Sequence, residues 1–219
     1  MVEIIVDYIP SGRRNRPAKP NPCSYITIHN TGNTQAGSNA KAHANYLKNS
    51  QDVADPKSPK SWHYTVDGAV IYQHIPDNET AYHAGDGAGK GNTQSIGIEI
   101  CMNSDGDLIE ATENTVSLVA KLMKDHDIAI ENVVQHNYWS GKNCPQMLRS
   151  GNPYSWTTFI EKVKDAVMPK ETKPSWADPY WNHLNQIGCE IEEKRYSSPI
   201  TRGEVFALLS RYHKARAHM

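Results

Sequence analysis

Cysteine is scarce in this chain of 219 residues, with four in all: Cys23, Cys101, Cys144 and Cys189. No CxxC pair or dense spacing links them, which argues against a disulfide framework. Charge of one sign is also lacking. The 23 basic and 24 acidic side chains leave a formal net charge of −1, so there is no electrostatic case for a nucleic-acid partner. No apolar run approaches the ~20 residues that cross a bilayer, so no membrane partner is expected. The opening stretch MVEIIVDYIP carries Glu3 and has neither a basic leader nor a long apolar core. It predicts a strand rather than a secretory signal, and with it synthesis ending in the cytosol unless another device exports the protein. The length suits one medium domain and a small companion.

What is present is alternation. YITIH (25–29) puts Ile26 and Ile28 on one face and Tyr25, Thr27 and His29 on the other. HYTVDGAVIYQH (63–74) predicts a hairpin with Asp67-Gly68 in its turn. SIGIEIC (95–101) alternates again, and NVVQH (132–136) is a short strand ending in histidine. Helical periodicity runs through 38–48, with Ser38 as N-cap, through 112–126 and through 155–167. Strands interleaved with helices predict an α/β fold, a mixed central β-sheet flanked by helices over residues 1–167. The proline-rich, charged run 168–179 reads as a linker. Residues 180–219 read as a small helical domain. One helix is capped by Gly188, and a second opens on the capping-box pair Thr201 and Glu204. A unit this small has little core of its own, so packing or self-association is expected.

The chemistry gathers at strand ends. His29 closes one strand, His136 closes another, and Cys144 follows eight residues later in the loop NYWSGKNCP. Two imidazoles and a thiolate are a competent zinc set with one open position, where water would be acidified to a pKa of ~7. A cysteine nucleophile with His136 as base and Asn137 or Asn143 as orienter uses the same residues. The residues alone leave both readings open. Glu99 sits on the face of SIGIEIC that also carries Ser95, Gly97 and Cys101. A carboxylate among small neighbours in a central strand is costly to bury without a purpose, and it is a candidate proton carrier. Lys142 is a candidate for stabilising an oxyanion. Asn30, Trp62, His63, His83 and Tyr138 are candidate groove residues for a sugar-peptide substrate. The Gly-rich run 82–95 lacks the spacing of a phosphate-binding loop and reads as a rim. Cys101 reads as a buried small residue.

YITIHNT, SWHYTVD, YHAGDG, NTQSIGIEI and VVQHNYWSGKNCP, in that order, resemble the zinc-dependent N-acetylmuramoyl-L-alanine amidases of the phage and prophage endolysin type. Their fold is shared with peptidoglycan recognition proteins. The likeness covers about residues 1–167. It implies one catalytic zinc on His29, His136 and Cys144, Glu99 as catalytic base, and Lys142 polarising the scissile carbonyl. It also implies hydrolysis of the amide between N-acetylmuramic acid and L-alanine of the stem peptide in bacterial peptidoglycan. Some branches carry a catalytic tyrosine where this chain has Trp62, which has no phenol to offer. The alternative is a non-catalytic muropeptide-binding module on the same fold; relatives of that kind typically lose the cysteine, which this chain keeps. Residues 199–204, PITRGE, resemble part of a surface-layer-homology repeat, which implies a secondary cell-wall polymer as a further partner. With no signal segment, the resemblance implies an endolysin or autolysin made in the cytoplasm and acting on the wall after release.

Overall fold

Two of the alternating segments lie side by side at the centre of one sheet. β2 (Tyr25–Asn30) pairs in parallel with β5 (Ser95–Ile100), so that Ile26 and Ile28 stand opposite Ile96 and Ile98, and His29 opposite Glu99. The computed structural model describes residues 2–50, 52–55, 57–167, 183–184, 186 and 202–216. The remaining strands are β1 (Ile4–Val6), β3 (Tyr64–Val66), β4 (Ile71–Gln73) and β6 (Val133–Gln135). The sheet order is β1-β4-β3-β5-β2-β6, and only the β3–β4 hairpin is antiparallel. Asp67 builds the hairpin turn. One carboxylate oxygen accepts from the Ala69 and Val70 N–H groups at 2.8 Å each, and the other accepts from Ala40 N–H at 3.0 Å, at the start of the next helix.

The two faces of the sheet have different jobs. The isoleucine face meets α3 (Leu108–His126) and α6 (Trp156–Val167) in one core holding Leu118, Val119, Leu122, Phe159 and Val163. Phe159 is fully buried, and truncating such a side chain to alanine costs about 3–5 kcal/mol. The opposite face, bearing Thr27, His29, Gly97 and Glu99, is covered only in part. There α1 (Ala40–Asn49) packs Ala40 and Ala44 against Tyr72 and Cys101. The rest of that face is left open to a cleft.

Two helix starts differ from the sequence expectation. The cap of α1 is Asn39, whose side chain accepts from Ala42 N–H, rather than Ser38. Serine and asparagine cap equally well, so pattern alone does not rank two adjacent candidates. α3 begins four residues before the expected Thr112, because Asp107 accepts from Glu110 N–H. Short helices α2 (Lys90–Thr93), α4 (Asn137–Ser140) and α5 (Gln146–Ser150) were not foreseen; each is too short to show a periodicity.

The chain divides into two compact units, Met1–Met168 and Pro169–Met219. In the second unit α7 (Arg202–Arg216) is described, with Phe206 69% exposed. The expected linker 168–179, the Gly188 cap and Thr201 lie outside the described residues. Among the described residues no helix is long and apolar enough to cross a membrane.

Candidate active site

β2 carries His29 and Asn30 to its carboxyl end. β6 does the same for His136, whose N–H continues the strand pairing by donating to Ile28 C=O at 3.1 Å. Cys144 comes back from a loop that one residue holds in shape. Asn137 donates its backbone N–H to Cys144 C=O at 3.0 Å, and its side-chain amide donates to the Gly141 and Lys142 carbonyls at 2.9 Å each. Gly141, at φ +73°, makes the turn out of α4 that a side chain would strain. The His29, His136 and Cys144 donor atoms all lie within 4.8 Å of one another, and all three residues are buried.

One set of ring tautomers gives both carbonyls beside these rings, Ser95 C=O and Ala84 C=O, a donor. His83 Nε2 lies 3.4 Å from Ser95 C=O, an acceptor, so that nitrogen carries the proton and Nδ1 presents a lone pair. His29 Nε2, 3.0 Å from His83 Nδ1, therefore donates. His136 Nε2 donates to Ala84 C=O at 2.9 Å. Both remaining Nδ1 atoms are then lone pairs, 3.0 Å apart, with Cys144 Sγ 3.9 Å from His29 Nδ1. With those tautomers no proton lies between the two rings. Burial, with His83, His136 and Lys142 nearby, holds His29 well below the usual histidine range. Two facing lone pairs beside a sulfur, each ring locked from behind, is the arrangement of metal-binding histidines, and these residues can hold a metal ion.

Gly97 makes the backing possible. A Cβ there would lie 2.7 Å from the His83 ring, so only glycine lets His83 cross the strand behind His29.

Glu99 stands opposite His29 in the sheet, with Oε1 4.0 Å from His29 Nδ1 and its side chain 14% exposed. Burial pushes its carboxyl up to about 8, against the pull of Lys142, and Oε2 is buried with no partner. Cys144 is pushed up to about 11, first by burial and then by Glu99, while a hydrogen bond from the Asn30 backbone and the Lys142 charge oppose the shift. A thiol so raised is a poor nucleophile until a cation lowers it.

These groups line a cleft of about 870 Å³. Of the candidate groove residues, Asn30, Trp62 and His83 line it. Asn30 accepts Met147 N–H on its oxygen, and its amide nitrogen is buried and unpartnered. Trp62 turns its indole N–H away to Thr65 Oγ1 at 2.7 Å and offers its ring as a wall between the cleft and a second one of about 440 Å³. His63 is not brought to the cleft. It is fully buried, donates to Glu79 C=O at 2.8 Å and accepts Gly97 N–H at 2.9 Å. Tyr138 lies outside the lining too, 65% exposed on α4 and packed edge-on against Trp139. The Gly-rich run forms a rim. Asp86 takes the Gly91 and Asn92 N–H groups, and Asn92 takes those of His83 and Ala84, which leaves those amides no phosphate to cradle.

The N-acetylmuramoyl-L-alanine amidase family matches residues 19–147, a stretch that contains all three donors and Glu99. The chain belongs to that family. It is similar to the N-acetylmuramoyl-L-alanine amidase XlyA of Bacillus subtilis (strain 168), at 52% identity over 159 residues, 73% of this chain and 50% of the relative. It is also similar to the amidase CwlH of the same strain, at 47% over 181 residues, 82% of this chain and 68% of the relative. The catalytic domain of XlyA superposes with a TM-score of 0.68 at 51% identity, covering 74% of this chain and 99% of that domain. This amidase-family chain thus spans half of XlyA and about two thirds of CwlH.

Proposed function

We propose that the chain is a zinc-dependent N-acetylmuramoyl-L-alanine amidase, which hydrolyses the amide joining the lactyl group of N-acetylmuramic acid to L-alanine of the stem peptide in peptidoglycan. The observation that carries the reading is the convergence of the Nδ1 atoms of His29 and His136 with Cys144 Sγ. Nitrogen and sulfur donors in a three-residue set with an open fourth direction fit zinc. Zinc held there would supply a Lewis acid for the scissile carbonyl, an acidified water, and a positive charge that lowers the Glu99 carboxyl from about 8.

The chain's own residues do the rest. Asn30 lines the cleft, held by Met147 N–H on its side-chain oxygen, and positions the substrate. Lys142, at the cleft edge, faces the charge that develops on the carbonyl oxygen. Glu99 takes a proton from the attacking water as the C–O bond forms. It returns that proton to the alanine nitrogen as the C–N bond breaks, leaving a lactyl carboxylic acid and a free amino terminus. Trp62 supplies an apolar wall and, with its N–H committed to Thr65, no proton.

An endolysin or autolysin acting on the wall after release is part of this reading, supported by the sequence resemblance. A wall-polymer role for residues 180–219 rests on the PITRGE likeness alone, and a self-association role on the small size of that unit. The test is incubation with purified peptidoglycan. The amidase releases new amino-terminal L-alanine, whereas a muropeptide-binding module retains the substrate uncut.

A further inference from the structure

The cleft has a charge that the chain as a whole lacks. Against a net charge of −1, its lining carries Lys19, Lys57, Lys60 and Lys142, and among the described residues Glu99 as the only carboxylate. Among the described residues no carboxylate pairs with any of the four ammonium groups. Lys142 belongs to the loop that holds Cys144. The other three come from a separate wall. Lys19 C=O accepts Thr80 N–H at 2.8 Å, Lys57 and Lys60 stand on the 57–60 loop, and Ser61 N–H, just after it, donates to Tyr82 C=O at 3.0 Å. Thr80 and Tyr82 themselves line the cleft. Three unpaired cations on one wall of a concave site focus a positive potential on whatever lies there.

We infer that Lys19, Lys57 and Lys60 form a carboxylate-reading wall that makes this chain select stem peptides with free, rather than amidated, carboxyl groups. The inference rests on the amidase reading and deepens it. A stem peptide presents side-chain and terminal carboxyls to the groove, and amidation erases their charge while barely changing their shape. Flexible lysine ammoniums reward charge without demanding the bidentate geometry of arginine. The wall acts on substrate capture, not on the bond that breaks, so its effect falls on KM.

The test uses the full chain, zinc-loaded, and two soluble muramoyl peptides identical except that one has its carboxyls amidated. The wild type should cleave the free acid with a KM on the order of tenfold lower than the amide at low salt, as expected for a few partly exposed charge pairs acting together. Added salt should shrink that ratio. The triple variant Lys19→Gln, Lys57→Gln, Lys60→Gln should bring the ratio towards one through KM, with kcat for the free acid changed by less than about twofold. Equal KM values in the wild type, or a preference that survives the triple substitution, overturn the inference while leaving the amidase reading standing. Lysine effects seen only on whole walls bearing anionic polymers, and not on soluble fragments, overturn it in favour of polyanion binding. Cleavage of neither peptide overturns the amidase reading, and the inference with it.

Discussion

His29 and His136 direct their Nδ1 atoms at each other across 3.0 Å, and in the tautomers that satisfy Ser95 C=O and Ala84 C=O each ring donates from Nε2, to His83 and to Ala84 C=O. Such a contact is repulsive until an electrophile stands beside it. That relationship ties the sheet, which brings the two strand ends together, to the chemistry proposed for the cleft.

Cys144→Ser replaces the sulfur that completes the set. Zinc affinity should fall by more than about 100-fold, beyond the usual loss for a residue that only supports a ligand, and hydrolysis should fall with it. Metal content after dialysis against limiting zinc reads this out. A variant that keeps one zinc per chain and normal turnover would remove Cys144 from the metal set.

Gly97→Ala tests the backing of His29 without touching a donor. The added methyl would meet the His83 ring at 2.7 Å and displace it from His29 Nε2. Loss of such a support costs roughly 10–100-fold in metal affinity. Competition against a chromophoric chelator measures it, and an unchanged constant would show that His83 does not set the ring.

Glu99→Gln separates proton transfer from metal binding. The amide keeps the size and loses the proton-carrying capacity. Zinc should still bind, and turnover should fall by about 10²–10⁴. Full activity in the zinc-loaded variant would place the proton carrier elsewhere.

Stability should depend on pH in two opposite ways in the metal-free protein. Burial lowers His29, His63, His74 and His83, with His74 down to about 3. The unfolded chain takes protons that the folded chain refuses, so stability is lost as pH falls below 6.5. Glu99 is raised from 4.5 to about 8, so the folded chain holds that proton longer, and its contribution is lost as pH rises from 4.5 to 8. Metal-free Glu99→Gln should therefore exceed the wild type in thermal midpoint at pH 8, with the gap closing towards pH 4.5. Parallel curves for the two proteins would show that Glu99 is not held protonated by the fold.

Much of this arrangement was legible in the sequence, for stated reasons. Period-two alternation in YITIH and SIGIEIC puts His29 and Glu99 on the face opposite the isoleucines, and pairing of the two strands makes them neighbours. Strand ends in a parallel sheet collect at one edge, which brings His136 to His29. What alternation does not carry is the backing. His83 reaches His29 only because position 97 has no side chain, and Gly97 reads in sequence as mere small-residue room. Asn137, considered as a partner for a cysteine nucleophile, instead ties the 141–144 loop through four hydrogen bonds, three of which it donates. His63 and Tyr138 carry groove-type side chains, yet backbone partners bury one and α4 turns the other to solvent. Residue type does not report direction.

The most direct test of the whole account is end-group analysis of purified Gram-positive peptidoglycan digested in three matched samples: protein alone, with chelator, and with chelator followed by excess zinc. The account predicts new amino-terminal L-alanine without new reducing ends, abolished by chelator and restored by zinc. Release that persists in chelator and is blocked instead by thiol alkylation would contradict it and make Cys144 the nucleophile.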